Sequence, residues 1–330
     1  GRRVRFRVLV NGVPVPSKTE WTQFVPSGIA CLLELNLNSP GGYRLQVQAQ
    51  DTGENRSPLS DPMDLTYGPG WEVFTRANSG LPSDRITVLA TADYRQIIGT
   101  EDAGLAIFDG LSNWELLNTA ATPLGDAHVT SVWPVLWNAS LQPWVGTQTG
   151  GLRATVNGQW TYWNTGNAGL PADHVTALAF SPVAAWIGTD GGGAARVDTT
   201  SWTWQYFNTG NSGLPSNRIL AIHLAVRQTW IGTDRGLAMM TFPDGAWTTY
   251  SVASSPLPSD VVTCISVDRE GGVWVGTEAG VAVLRGSEWT VYRHSGSPLP
   301  DDRVTALLAG DTPDVWIGTA GAGAARISSG

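Results

Sequence analysis

"WIGTD" stands at residues 186–190 and again at 230–234, and its variants keep the same beat: "IIGTE" at 97–101, "WVGTQ" at 144–148, "WVGTE" at 274–278 and "WIGTA" at 316–320. The glycines fall at Gly99, Gly146, Gly188, Gly232, Gly276 and Gly318, in steps of 47, 42, 44, 44 and 42 residues. A second phrase shares the period: "SGLPSDRIT" from Ser79, "AGLPADHVT" from Ala168, "SGLPSNRIL" from Ser212, "SPLPSDVVT" from Ser255 and "SPLPDDRVT" from Ser297, with a degenerate "TPLGDAHVT" from Thr122. Two phrases coinciding six times define an internal repeat.

Each unit holds four short runs rich in β-branched and aromatic residues. In the third they read "HVTALAF", "AAWIGT", "GAARVD" and "WTWQYF". None is long or periodic enough for a helix. A repeat of roughly 40–45 residues with four strands has the size of a propeller blade. The expected fold is all-β: a six-bladed β-propeller over 68–330, preceded over 1–67 by a small immunoglobulin-like β domain. The last unit stops after three strands. The unmatched run "WEVFT" at 71–75 is expected to complete the sixth blade and close the ring.

The first strands are nearly apolar throughout, as in strands covered on both faces. Their fourth positions hold Val88, Ser131, Ala177, Ala221, Cys264 and Ala306, small enough to converge near an axis. The Trp of the repeated phrase, with Ile97 in its place in blade one, is read as interblade packing. So are the fourth-strand residues Trp71, Trp114, Trp160, Trp202, Trp247 and Trp289. Cys31 and Cys264 lie in apolar runs and read as buried small hydrophobes.

The residue after each GT is Glu101, Gln148, Asp190, Asp234, Glu278 and Ala320 in turn. Just before each first strand stand Arg85, His128, His174, Arg218, Val261 and Arg303. Antiparallel pairing brings each couple together at one face. Two readings follow: a ring of surface ion pairs, or a polar channel mouth that holds a small polar or anionic ligand. Glu278 and Arg303 lack opposite charges within their own blades. His128 and His174 share a position in neighbouring blades, and a two-His metal site there is weighed and set below the structural reading. Neither a cofactor nor a resident metal is expected. The second unit alone inserts "WPVLWNASLQPW" on the opposite face. Its Trp133 and Trp137 are candidates to cap the channel or to contact a partner or glycan.

The net charge of −8, with Lys18 the sole lysine, argues against nucleic acid as a partner. No apolar run approaches the ~18–20 residues that span a bilayer. The chain begins at Gly1, as a processed or excised piece of a longer protein would. It carries no GxSxG, HExxH, P-loop or EF-hand pattern.

The pattern W-x-x-(Y/F), then (S/T)-G-L-P-S-(D/N), then W-(I/V)-G-T-(D/E)-x-G-(L/V)-A resembles the two-component regulator propeller repeats over residues 70–330. That resemblance implies a bacterial periplasmic sensor region that dimerises or frames a site for carbohydrate fragments. Its motif fixes no ligand residue. The segment "GGYRLQVQAQDTGENRSPLSDPMDLTY" resembles the last strands of a fibronectin type III or related sandwich. The function expected is therefore a non-catalytic extracytoplasmic ligand-binding, sensor or interaction module, periplasmic, cell-surface or secreted. Two alternatives stand beside it. One is a structural surface or assembly protein without a small ligand. The other is a lyase or hydrolase using mouth histidines and carboxylates, similar to antibiotic-inactivating propeller lyases.

Overall fold

The computed structural model describes residues 3–10, 13–14, 25–26, 41–60, 63–67, 73–118, 124–137, 140–156, 159–167, 169–310 and 314–328. The chain divides into two units, Gly1–Val73 and Phe74–Gly330.

In the first unit, strands Arg3–Val10, Gly41–Asp51 and Met63–Tyr67 form one antiparallel sheet with the short strands Val13–Pro14 and Val25–Pro26. The Asp51 carboxylate accepts from the amides of Gly53 (2.8 Å) and Asn55 (2.9 Å), which fixes the turn after the long strand. The described residues of this unit form a single sheet, so the expected immunoglobulin-like sandwich is not shown. "CLLELNLN" and Cys31 lie outside them.

The second unit is an all-β six-bladed propeller. Blades one to five are four-stranded meanders. Blade three runs Val175–Ser181, Ala184–Thr189, Gly193–Asp198 and Trp204–Phe207, and blade five runs Val262–Val267, Val273–Thr277, Gly280–Arg285 and Glu288–Tyr292. Blade two adds a hairpin, Leu136–Trp137 with Ser140–Leu141, inside the inserted stretch. Blade six shows three strands, Val304–Leu308, Asp314–Thr319 and Ala324–Ser328. The expected closing strand is not shown: Trp71 and Glu72 lie outside the described residues, and Val73–Thr75 carry no strand assignment.

The repeated phrase builds this scaffold in two ways. Its threonine hydroxyl donates to the turn's glycine carbonyl in all six blades, for example Thr189 to Gly193 at 2.7 Å and Thr277 to Gly280 at 2.8 Å. That glycine takes positive φ, +90° at Gly193, which an L side chain rarely adopts. The glycine of the phrase itself is a socket. A Cβ on Gly188 would lie 2.6 Å from Ile219 Cγ2 of the next blade, and one on Gly232 would lie 2.6 Å from Val262 Cγ1.

Every first strand carries a register shift after its first residue. A bulge re-aims the extra residue, which is threonine in five blades. Thr176 donates to the Ile219 carbonyl at 2.7 Å, Thr263 to the Val304 carbonyl at 2.7 Å and Thr87 to the Val129 carbonyl at 2.6 Å; Thr130 likewise donates to Val175. Knob, socket and hydroxyl together make one junction. Five buried apolar clusters fill the five junctions from blade one to blade six. The leucine of the second phrase sits in each: Leu124, Leu170, Leu214, Leu257 and Leu299 are nearly inaccessible.

The second-strand aromatics confirm their packing role in blades two to five, where Trp144, Trp186, Trp230 and Trp274 are 2–4% exposed. Trp316 departs from it at 49%. Trp202 is also corrected. The fourth strand of blade three begins at Trp204, and Trp202 stands in the preceding loop with φ +56°. Trp71 lies outside the described residues.

Candidate functional site

The turns after the second strands carry the polar residues that the sequence brings together. Main-chain bonds confirm the register: the amides of Glu101, Gln148, Asp190, Glu278 and Ala320 donate to the carbonyls of Arg85, His128, His174, Val261 and Arg303. Side chains follow this pairing only in part. Arg85 forms an ion pair with Glu101, and Asp102 lies 3.9 Å away. His174 Nδ1 lies 3.3 Å from Asp190 Oδ2.

Arg218 was expected to meet Asp234 and instead reaches back to blade three, with Nε 3.1 Å from Asp190 Oδ1. The reason is an isolated bridge between Asp190 and Arg218 that ties the two blades there. Asp234 is left with a buried Oδ1 that has no hydrogen-bond partner. Among the described residues no side-chain pair joins His128 to Gln148, and Glu278 and Arg303 are exposed without ion partners. The ion-paired side chains are one-third to three-fifths exposed, so each pair contributes about 0–1 kcal/mol.

The remaining titratable candidates pack. Burial pushes the Cys264 thiol up to about 11 and lowers the His223 pKa. Both sit on first strands, in blades five and four. Among the described residues no three His, Cys, Asp or Glu side chains cluster as a metal site.

A cavity of about 600 Å³ opens on the opposite face, between blades two and three. It lies within the range of roughly 300–1,000 Å³ typical of small-ligand sites. Its aromatic wall is Trp133, Trp144, Phe180 and Trp202; Gln142, Thr155, Ser181 and Thr199 bring polar groups, and among the described residues no charged one lines it. Trp133 stacks on Phe180 at 5.6 Å, and Phe180 meets Trp144 edge-on at 4.7 Å. Trp144, Trp163 and Trp202 form a nearly parallel set, with 18° between Trp144 and Trp163 and 10° between Trp163 and Trp202.

The chain around Trp202 is held tightly. The Asp198 carboxylate accepts from the amides of Ser201 (2.8 Å) and Thr200 (2.9 Å), and these bonds keep its pKa below the usual carboxylate range. The Trp202 amide donates to the Asp198 carbonyl at 2.8 Å. A bulky residue at positive φ is strained and persists where its surroundings fix it.

Of the two aromatics expected in the insertion, Trp133 lines this cavity. Trp137 pairs through its backbone with Ser140, and its side chain lies outside the described part. Sequence reasoning missed Trp202 as a lining residue. The usable signal was the spacing W-x-x-(Y/F), which selects Trp204 with Phe207 as the strand pair and leaves Trp202 over.

The family model described as two component regulator propeller matches residues 256–279. That span holds the LPSD and WVGTE phrases of one repeat. No curated protein matches the chain. Among solved structures, an extracellular domain ascribed to the hybrid two-component system BT3049 of B. thetaiotaomicron superposes with a TM-score of 0.64 at 18% identity, over 87% of this chain. This chain spans 38% of that longer one. The computationally designed protein Ika8 gives a TM-score of 0.56 at 16% identity, covering 88% of this chain and 91% of its own. YCF48 bound to a D1 peptide gives 0.51 at 15% identity, covering 77% of this chain and 79% of its own. At these identities the likeness establishes the propeller fold.

Proposed function

We propose that the chain is a non-catalytic extracytoplasmic recognition module whose propeller holds a neutral, flat-faced ligand, the sugar ring of a glycan, in the aromatic cavity between blades two and three. The observation that carries this reading is the cavity itself: about 600 Å³, with three tryptophans and a phenylalanine in its wall and no charged side chain among the described residues that line it. Indole faces cover the C–H face of a sugar ring. Its hydroxyl groups need neutral hydrogen-bonding partners once water is displaced, and Gln142, Thr155, Ser181 and Thr199 stand where such partners are required. The strained, anchored Trp202 supports a preorganised wall, which lowers the entropic cost of binding. The extracytoplasmic placement rests on the regulator-propeller likeness of residues 256–279. The polar residues on the other face, Arg85, Glu101, His174, Asp190 and Arg218, act as surface pairs in this reading.

Titration calorimetry against a panel of neutral oligosaccharides tests it. Binding by the intact chain is expected, with affinity falling at least about tenfold in Trp202→Ala and Trp133→Ala, since a lost stacking face removes on the order of 1.4 kcal/mol or more. Arg85→Ala and Asp190→Asn are expected to leave binding unchanged. Binding that survives both tryptophan variants, or that fails in the mouth variants, moves the site elsewhere.

A further inference from the structure

Gln142 and Trp144 repeat a spacing that closes on itself elsewhere in the propeller. In blade four the same pair is Gln228 and Trp230, and Trp230 Nε1 donates to Gln228 Oε1 at 3.2 Å. Blade five holds the indole of Trp274 in a similar way, with Asp268 Oδ2 accepting at 2.8 Å. Blade two lacks this bond. Among the described residues, neither the Gln142 side-chain amide nor Trp144 Nε1 has a hydrogen-bond partner.

The backbone explains the difference. Gln228 opens the strand Gln228–Thr233 and faces Ala225 across a tight turn. The matching strand of blade two is Trp144–Thr147, and its register with the first strand ends at the pair Trp133 and Trp144. Gln142 lies beyond that pair, in the neck of the insertion, where its backbone N–H donates to the Val135 carbonyl at 2.7 Å. The bond sets Gln142 beside Val135, and both line the aromatic cavity together with Leu136.

The other polar groups of the lining are few. Ser181 Oγ is engaged within its own turn, 3.2 Å from both the N and the O of Ala184. Thr155 and Thr199 each offer a hydroxyl with no partner among the described residues. A hydroxyl rotates to suit its partner and selects weakly, whereas a primary amide fixes two donors and an acceptor in one plane. A plain hexose carries hydroxyls around its whole perimeter. Against Val135, Leu136 and Val156 some of them would lose water and gain nothing. An acetamido group in place of one hydroxyl suits this lining better. Its carbonyl accepts from the free Gln142 amide, and its methyl needs an aliphatic contact such as Val135 and Leu136 supply.

On the reading that the cavity holds a sugar ring, we infer that it selects an N-acetylated amino sugar and that Gln142 is the residue that selects it. Gln142 Nε2 donates to the acetamido carbonyl, and the hydroxyls of Thr155 and Thr199 serve the ring hydroxyls.

Titration calorimetry with N,N′,N″-triacetylchitotriose and cellotriose tests this. These β-linked trisaccharides differ only in carrying acetamido or hydroxyl on the second ring carbon. The intact chain is expected to bind the acetylated one about tenfold or more tightly. Gln142→Glu, which keeps the size and removes the donor, and Gln142→Ala are both expected to bring the two affinities within about twofold of each other, chiefly by weakening the acetylated ligand. Both variants should melt within about 2 °C of the intact chain, since the Gln142 side chain holds no other group in place. Equal or reversed affinities in the intact chain, with both lost in Trp202→Ala, overturn this inference and leave the sugar site standing. A preference that survives Gln142→Glu also overturns it. Failure to bind either trisaccharide overturns it too, and a chain that ignores every neutral oligosaccharide of the panel loses the sugar reading as well.

Discussion

Blade three and blade six are written in nearly the same words and have different surroundings. Trp186 and Trp316 open the same phrase, yet one is 2% and the other 49% exposed. Gly188 receives Ile219 from blade four, while Gly318 faces its own Ala306. Thr176 reaches the Ile219 carbonyl at 2.7 Å. Its counterpart Thr305 donates to no neighbouring blade among the described residues. The difference teaches that the repeated residues are half-contacts. They encode a junction, and stability accrues only where the next blade supplies the other half.

Paired substitutions sharpen or break this comparison. The largest contrast is expected at tryptophan. Trp186→Ala should cost about 3–5 kcal/mol, as for a fully buried large aromatic, and Trp316→Ala about 1 kcal/mol or less by chemical denaturation. Equal losses would show that the blade-six face is covered in solution. Next is the socket. Gly188→Val forces its branches into Ile219, an overpacking worth about 1–3 kcal/mol, whereas Gly318→Val has only Ala306 to displace and should cost less than about 0.5 kcal/mol. The smallest contrast lies in the bulge hydroxyl: Thr176→Val should lose about 1 kcal/mol, and Thr305→Val nothing measurable.

Much of the scaffold was legible because it is local and repeated. The six GT turns, the strand order within a blade and the main-chain neighbours of Arg85 with Glu101 and His174 with Asp190 follow from antiparallel register alone. Arg218 was placed wrongly because its carboxylate lies across a blade boundary, at Asp190, where one blade's register says nothing. Trp202 was misread because two tryptophans two residues apart share strand parity. Only a φ of +56° takes one of them out of the strand. The cavity is the least repetitive part of the molecule. Its wall combines the blade-two insertion with that blade-three loop, and no repeat phrase announces it.

The sequence alone determined the period, the four-stranded unit and the residues that make a junction, because each is read from spacing within a repeat. Tertiary structure decided which of those junctions are formed, which tryptophans are left to face a cavity and which charges pair across blades. These depend on distances between segments some 40 residues apart, and no local pattern carries that information.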